Sequence, residues 1–366
     1  MDEVARRGLF RDRVILAPMT KGSNLPFRRL CVELGARFTV GEMALSKWVV
    51  KGTAQELALL RRHPDEPTFG VQLCGRNPVL MARAATIAEA RGADFVDINL
   101  GCPIDSVVRR GEGAALLERP KRVAEVVAAM RQVLRIPLSV KLRTGYRDEK
   151  PTMVEVARAA EGEGADAVFL HARSRTQRYR RPADWSHVAA LAEAVAIPVI
   201  GNGDIVDFRD AEARKLQTGC ASVMLARGAL VKPWFFRELS ERREIHPSGA
   251  ERMAMLRRYV ELALQHFGPD ERGRERVRFF LDWHLDFFTR WVPPRPGLAP
   301  FALQERHSGW EPADADEALL ARPDRPARDY LVRLLVDGPD AAGPPPGPAA
   351  ADAPTAGRDH RTEISG

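Results

Sequence analysis

Between Val14 and Leu225 the chain repeats one pattern: a short apolar run, a polar or glycine-bearing loop, then an amphipathic stretch at helical spacing. Strand and helix in regular alternation is the pattern of a parallel sheet covered by helices. The predicted strands are Val14–Ala17, Phe38–Val40, Thr68–Leu73, Phe95–Asn99, Leu138–Leu142, Ala167–His171, Pro198–Gly201 and Ser222–Leu225. Eight such units predict an α/β fold closed as a (β/α)8 TIM barrel rather than an open doubly wound sheet. No GxGxxG follows the first strand, which argues against a dinucleotide-binding Rossmann unit.

From about Phe236 to Pro247 the alternation gives way to helix alone. Met253, Leu256, Val260, Leu264 and Phe267 fall on one helical stripe, and Val277, Phe280, Leu281, His284 and Phe288 on another. Arg272, Arg274, Arg276 and Arg278 punctuate the start of the second helix. Trp291 to Pro300 interrupts the pattern with prolines, and a last short helix is expected over Ala327–Leu335. The remainder is rich in Pro, Ala and Gly and poor in large apolar residues, the composition of a segment that cannot bury a core. The expected organisation is a barrel domain over 1–240, a smaller all-helical domain over 249–335 and a disordered tail over 337–366.

With 366 residues and 45% hydrophobic content the chain can bury a large core. No stretch approaches the roughly 18 uninterrupted apolar residues of a membrane span, and MDEVARRGLF lacks the apolar centre of a signal peptide. A cytoplasmic monomer without membrane contact is expected. Cys31, Cys74, Cys102 and Cys220 are widely spread, with no CxxC pair and no histidine cluster at zinc spacing, so neither a disulfide frame nor a metal is expected. The net charge of +7 comes more from arginine than lysine, which suits phosphate recognition, although an arginine- and alanine-rich composition has the same look.

A barrel does its chemistry at the C-terminal ends of its strands. There the sequence places Ala17-Pro18-Met19, Gln72, Asn99 leading to Cys102, Lys141 and Arg143, His171 and Arg173, Asn202-Gly203-Asp204, and Ala226-Arg227. Cys102 sits on a Gly-Cys-Pro turn that Gly101 lets bend and Pro103 stiffens; read alone it is either a reactive thiol or a small half-buried hydrophobe. GNGD and ARG, after the seventh and eighth strands, supply the backbone amides of a phosphate site, or form a strand-to-helix turn with an acidic cap. Lys141 ends a buried strand, where an ammonium is costly without an anionic partner. His171 also has the reading of a satisfied rim histidine, and Gln72 and Asn99 that of ties between loops.

In order and spacing these residues resemble a family, the tRNA-dihydrouridine synthases, FMN-dependent (β/α)8 enzymes with a C-terminal helical domain. The resemblance runs from Ala17 through Phe236 and rests on APMTKGSNLPFRRLC, FGVQL, DINLGCP with VVRRGEGAALL, VKLRTG, LHARSRTQRYRRPADW, IGNGDI and MLARGALVKPWFF. NLPFRR, GEMAL, GCPID and RSRTQRY are most similar to the eukaryotic branch that acts on the tRNA variable loop, without the zinc-finger extension of those proteins. Arg109 and Arg110 stand where many members carry lysines.

The resemblance implies reduction of the C5=C6 bond of a uridine in tRNA, with NADPH reducing FMN, hydride passing from flavin N5 to C6, and a proton from Cys102 to C5. It implies that Ala17, Pro18, Met19, Gln72, Lys141, His171, Asn202, Gly203, Asp204, Ala226 and Arg227 hold FMN. Asn99, Arg143 and Arg173 are expected near the flavin or the target base. Arg175, Arg178, Tyr179, Arg180 and Arg181 form a basic loop that reads either as an RNA track or as a solvated charged loop. The rival readings are a synthase acting on rRNA, a flavin oxidoreductase of a free small molecule, and a non-catalytic RNA-binding factor.

Overall fold

A computed structural model describes residues 1–293, 303 and 311–347. Among the described residues the chain forms two compact units: residues 1–25 with 36–226, and residues 26–35 with 227–293, 303 and 311–347.

The first unit is a closed barrel. Its strands are β1 (Ile15–Leu16), β2 (Thr39–Val40), β3 (Ala44–Leu45), β4 (Phe69–Cys74), β5 (Phe95–Leu100), β6 (Leu138–Arg143), β7 (Ala167–His171), β8 (Val199–Asn202) and β9 (Ser222–Leu225). Every pairing among them is parallel, in the order β2-β1-β9-β8-β7-β6-β5-β4, and β2 also pairs with β4, which closes the ring. The predicted strands are all present, each within a residue or two. The short β3 was not predicted; it adds to the C-terminal end of β4, with Leu45 opposite Cys74.

Residues two apart along a strand share a face, and here one face points into the barrel. Its lower part is aromatic. The ring of Phe10 lies 5.9 Å from Phe38, 5.3 Å from Phe95 and 5.7 Å from Phe169. These rings are fully buried, each worth about 1.5–3 kcal/mol of burial. Gly70 is required beside them, because a Cβ there would stand 2.0 Å from the Phe95 ring. With that end filled by side chains, polar groups collect toward the other, where Gln72 is in register with Asp97, Asn99 with Lys141, Arg143 with His171, and His171 with Asn202.

The second unit is helical. Its long helices are Gly249–Phe267, opened by a capping box between Ser248 and Glu251, and Glu271–Phe288, capped by Asp270. The predicted stripes are largely buried through Met253, Leu256, Val260, Val277, Leu281, His284 and Phe288, and Phe267 stacks on Phe280. The helix expected near Ala327 runs from Arg325 to Val336. Arg328 pairs with Asp282 at 2.7 Å, Arg278 with Asp337 at 2.7 Å, and Arg274 donates to the Val336 carbonyl at 2.8 Å. A buried pair, Lys232 with Glu238 at 2.7 Å, lies nearer the start of the unit.

Of the expected tail, Pro339–Ala342 forms one helical turn and residues 348–366 lie outside the described residues, as do 294–300 of the proline-rich break. No helix among the described residues is long and apolar enough to cross a membrane, and no group of three or more His, Cys, Asp or Glu in them could hold a metal ion.

Candidate active site

β5 delivers the central residues. Phe95, Asp97 and Asn99 alternate on the barrel interior, and after Leu100 the chain turns through Gly101 and Cys102 into the helix Asp105–Val108. The turn is tied to the strand by Asn99, whose Oδ1 accepts the backbone N–H of Cys102 at 2.8 Å and of Gly101 at 3.2 Å. From β6, Arg143 donates through Nε to the Gly101 carbonyl at 2.9 Å and through Nη1 to the Ser174 carbonyl at 3.0 Å. Behind the turn, the Ala114 N–H donates to the Cys102 carbonyl at 3.1 Å, and Gly113 adopts φ +58°. A Cβ on Gly113 would lie 2.9 Å from that carbonyl oxygen and 3.0 Å from the Cys102 Cβ, so glycine is what lets the two segments meet.

Cys102 is 8% exposed and packs with Cys74, Val107, Met43, Leu45 and Ile104. Burial pushes its thiol pKa above the ordinary 9.0, opposed by the Ile104 N–H and by Arg143, Arg110 and Lys141. The group is therefore a neutral thiol through the physiological range. A thiol in that state can give up a proton; as a nucleophile it would first have to lose one.

Lys141 lies half-buried on the same face. Burial, and then repulsion from Arg143, push its pKa down to about 8, against the opposing pull of Asp97 and Cys102. Among the described residues no carboxylate oxygen lies within 4.0 Å of its ammonium. Asp97 is pushed the other way, up to about 6, again chiefly by burial, while Gln72, Ser139 and Lys141 favour its charged form. A cation in this mouth without a close carboxylate suits an anionic ligand.

The β7 and β8 ends form a second bonded group. Arg173 is fully buried and donates through Nη2 to Asp204 Oδ2, through Nε to the Arg181 carbonyl at 2.8 Å, and through Nη1 toward His171 Nε2 at 3.3 Å. A guanidinium only donates, so in this contact His171 Nε2 is the acceptor. Asp204 also accepts the Ala183 N–H at 2.8 Å, and Asn202 donates to the Met224 carbonyl at 2.8 Å. Gly203, at φ +139°, and Asp204, at φ 51°, turn the backbone sharply at the strand end.

The barrel thus brings together Gln72, Asn99, Cys102, Lys141, Arg143, His171, Arg173, Asn202, Gly203 and Asp204. Ala17 is buried and Met19 and Ala226 are partly buried against the same core, and Pro18 lies between the first two in the chain. Arg227 opens the helix Arg227–Val231 of the second unit. Arg143 and Arg173 spend donors on backbone and on Asp204, which makes them braces of the loops, and Gln72 and the Asp204 carboxylate are engaged by protein partners.

In the basic loop, Arg175 pairs with Asp105 at 2.6 Å and lies over the Tyr146 ring, and Arg178 approaches Asp105 at 3.9 Å. Tyr179 sits 5.9 Å from the His171 ring with Arg143 and Arg173 against its face. Arg180 donates to the Thr176 carbonyl at 2.8 Å, and Arg180 and Arg181 are exposed. Sequence reasoning missed Asp97 and Gly113. The first could have been found from its place two residues before Asn99 on a strand whose alternate residues face the interior.

The family profile described as "Dihydrouridine synthase (Dus)" matches residues 15–289. The protein of Homo sapiens named "tRNA-dihydrouridine(47) synthase [NAD(P)(+)]-like" is 44% identical over 336 residues, covering 90% of this chain and 51% of that protein. Its namesake in Xenopus tropicalis is 42% identical over 318 residues, covering 85% of this chain and 49% of that one. The "tRNA-dihydrouridine(47) synthase [NAD(P)(+)]" of Cryptococcus neoformans is 43% identical, covering 84% and 45%. The chain spans about half the length of these curated relatives. Among solved structures, histamine dehydrogenase from Rhizobium sp. 4-9 superposes with a TM-score of 0.51 at 14% identity, covering 68% of this chain and 49% of that one. A 2-naphthoyl-CoA reductase complex does so at 0.50 and 14%, covering 63% and 50%. At that identity the likeness is one of fold.

Proposed function

The chain belongs to the dihydrouridine synthase family, and from that membership we infer that it reduces the C5=C6 bond of a uridine in tRNA to dihydrouridine, with FMN as the bound redox group and NADPH as the reductant. The observation that carries this reading is the neutral thiol of Cys102, held by Asn99 at the mouth that also presents the Lys141 ammonium. The relatives' names carry position 47, and we place the target there.

The donor set fits an anionic flavin. Lys141 brings a cation with no close carboxylate of its own, and the turn at Gly203 and Asp204 brings backbone amides suited to a phosphate. Ala17, Pro18, Met19, Gln72, Lys141, His171, Asn202, Gly203, Asp204 and Ala226 would hold it. When bound, the flavin supplies the hydride that uridine receives at C6.

Cys102 supplies the other half of the reduction. Its S–H breaks as the C5–H bond forms, the thiolate is left behind, and solvent returns the proton. Arg143 and Arg110 lower the cost of that transient negative charge, while burial keeps the resting group protonated. The balance is one NADPH and one proton consumed per uridine reduced. A uridine in folded tRNA must leave its stack first, at a cost of roughly a few kcal/mol, which binding elsewhere on the RNA must offset. Arg175, Arg178, Tyr179, Arg180 and Arg181 are suited to part of that task.

The test is incubation of the purified chain with NADPH and an unmodified tRNA transcript, followed by mapping of dihydrouridine. The reading expects dihydrouridine at one variable-loop position and a yellow protein. A colourless protein that does not bind added FMN, or a flavoprotein that leaves the transcript unchanged while oxidising a free small molecule, would overturn it.

A further inference from the structure

Four polar side chains inside the barrel form a chain of hydrogen bonds with a fixed direction. Asp97 Oδ1 accepts from Ser139 Oγ at 2.8 Å, and Asp97 Oδ2 accepts from Gln72 Nε2 at 2.6 Å. Gln72 Oε1 accepts from Asn99 Nδ2 at 2.8 Å, and Asn99 Oδ1 accepts from the backbone N–H of Cys102 at 2.8 Å. Asp97 is fully buried and Gln72 nearly so.

The direction follows from the one member that cannot reverse. A carboxamide can turn end for end, because its oxygen and its NH2 have nearly the same shape. An ionised carboxylate only accepts. Facing Asp97, Gln72 must present its NH2, and so its oxygen points away. Asn99 must then present its NH2 to that oxygen, which leaves its own oxygen toward the Cys102 turn. Were either amide reversed, an NH2 would face an N–H across a buried contact, at the cost of an unsatisfied donor.

We propose that Asp97 is a positioning residue for Cys102: through Gln72 and Asn99 its acceptor-only carboxylate dictates the amide orientation that pins the Cys102 turn. The role is remote, since Asp97 itself bonds to Gln72 and Ser139. The catalytic meaning of the relay rests on the reading of Cys102 as proton donor; the geometry does not.

The experiment reads the turn directly, through the rate at which iodoacetamide alkylates Cys102, located by peptide mapping, in the full chain without substrate. Gln72→Glu places two acceptors face to face and breaks the relay at its first link. The paired exchange Asp97→Asn with Gln72→Glu restores it. The carboxamide then at position 97 can donate to the carboxylate at position 72, that carboxylate still accepts from Asn99, and Ser139 still donates to the oxygen at position 97. We expect alkylation about tenfold faster in Gln72→Glu, on the order of one hydrogen bond, and return to near the wild-type rate in the double variant. A Gln72→Glu rate equal to wild type, or a double variant as fast as Gln72→Glu, would overturn the relay.

Should Gln72→Glu not fold, the double variant against wild type still decides, since it retains the direction and must fold and alkylate slowly. Fast alkylation or failure to fold there counts against the proposal. Wild-type chain that protects Cys102 yet reduces no uridine would overturn the proposed function and leave the relay standing.

Discussion

Asn99 Oδ1 accepts the backbone N–H of Cys102 at 2.8 Å, so the last interior side chain of β5 fixes the turn that carries the thiol. The barrel thereby transmits strand register to a loop residue. Arg143 braces the same turn from β6 through the Gly101 carbonyl, and Gly113 backs it from behind.

Gly113→Ala tests the backing. At φ +58° an L side chain is strained, and the added Cβ would meet the Cys102 carbonyl at 2.9 Å. We expect a loss of about 1–3 kcal/mol in unfolding free energy, measured by urea titration, together with reduced uridine turnover. Wild-type stability and turnover would show that the two segments can separate at no cost.

The pH profile tests the protonation state. The Cys102 pKa lies above 9.0, so the competent thiol is present throughout the neutral range and is lost only as pH rises through that raised value. The alkaline limb of the proton-transfer step should therefore fall above pH 9, followed by single-turnover reduction of uridine with pre-reduced protein. A limb near neutrality would mean a perturbed thiolate instead.

Lys141→Met separates ligand binding from folding. The lysine's pKa is about 8 in the fold against 10.5 ordinarily, so the folded protein disfavours its charge. Below pH 8 both states are protonated and the full penalty applies; it disappears as pH rises toward 10.5. Flavin-free Lys141→Met should have a higher Tm than flavin-free wild type at pH 7, a gap that narrows above pH 8, and should bind FMN at least about tenfold more weakly. A lower Tm throughout, with unchanged FMN affinity, would assign Lys141 to the barrel alone.

Arg180 and Arg181 are exposed, whereas Arg175 is paired with Asp105. Neutralising Arg180 and Arg181 together should weaken tRNA binding and reduce the slope of log affinity against log salt by about 0.7–0.9 for each phosphate that is no longer neutralised. NADPH oxidation by the flavin is expected to continue. An unchanged slope would return these residues to the role of a solvated loop.

The eight barrel strands could be read in the sequence because each is a short apolar run between loops and helices, a signal that depends on burial alone. The strand β3 could not, since Ala44 and Leu45 are too few to carry a pattern and are drawn into the sheet by pairing with Leu73 and Cys74. At the mouth, strand ends and spacing pointed to Asn99, Cys102, Lys141 and His171. The partners of those residues were not legible. Asp97 meets Gln72 and Ser139 only when β4, β5 and β6 lie side by side, and Gly113 is set by a carbonyl eleven positions earlier that only the folded loop brings near. Arg143 and Arg173 are expected near the flavin or the target base; the braces that Arg143 makes to the Ser174 carbonyl of another loop, and Arg173 to the Arg181 carbonyl of its own, exist only once those loops fold.

We propose that Cys102 gives the proton to C5. The most direct test is single-turnover reduction of a uridine-bearing tRNA by pre-reduced Cys102→Ala beside wild type, with flavin content and reduction by NADPH measured in the same preparations. Loss of a positioned general acid predicts uridine reduction slower by about 10²–10⁴-fold while the flavin still binds and accepts electrons from NADPH. Uridine reduction at the wild-type rate in Cys102→Ala would mean that the proton at C5 comes from another group.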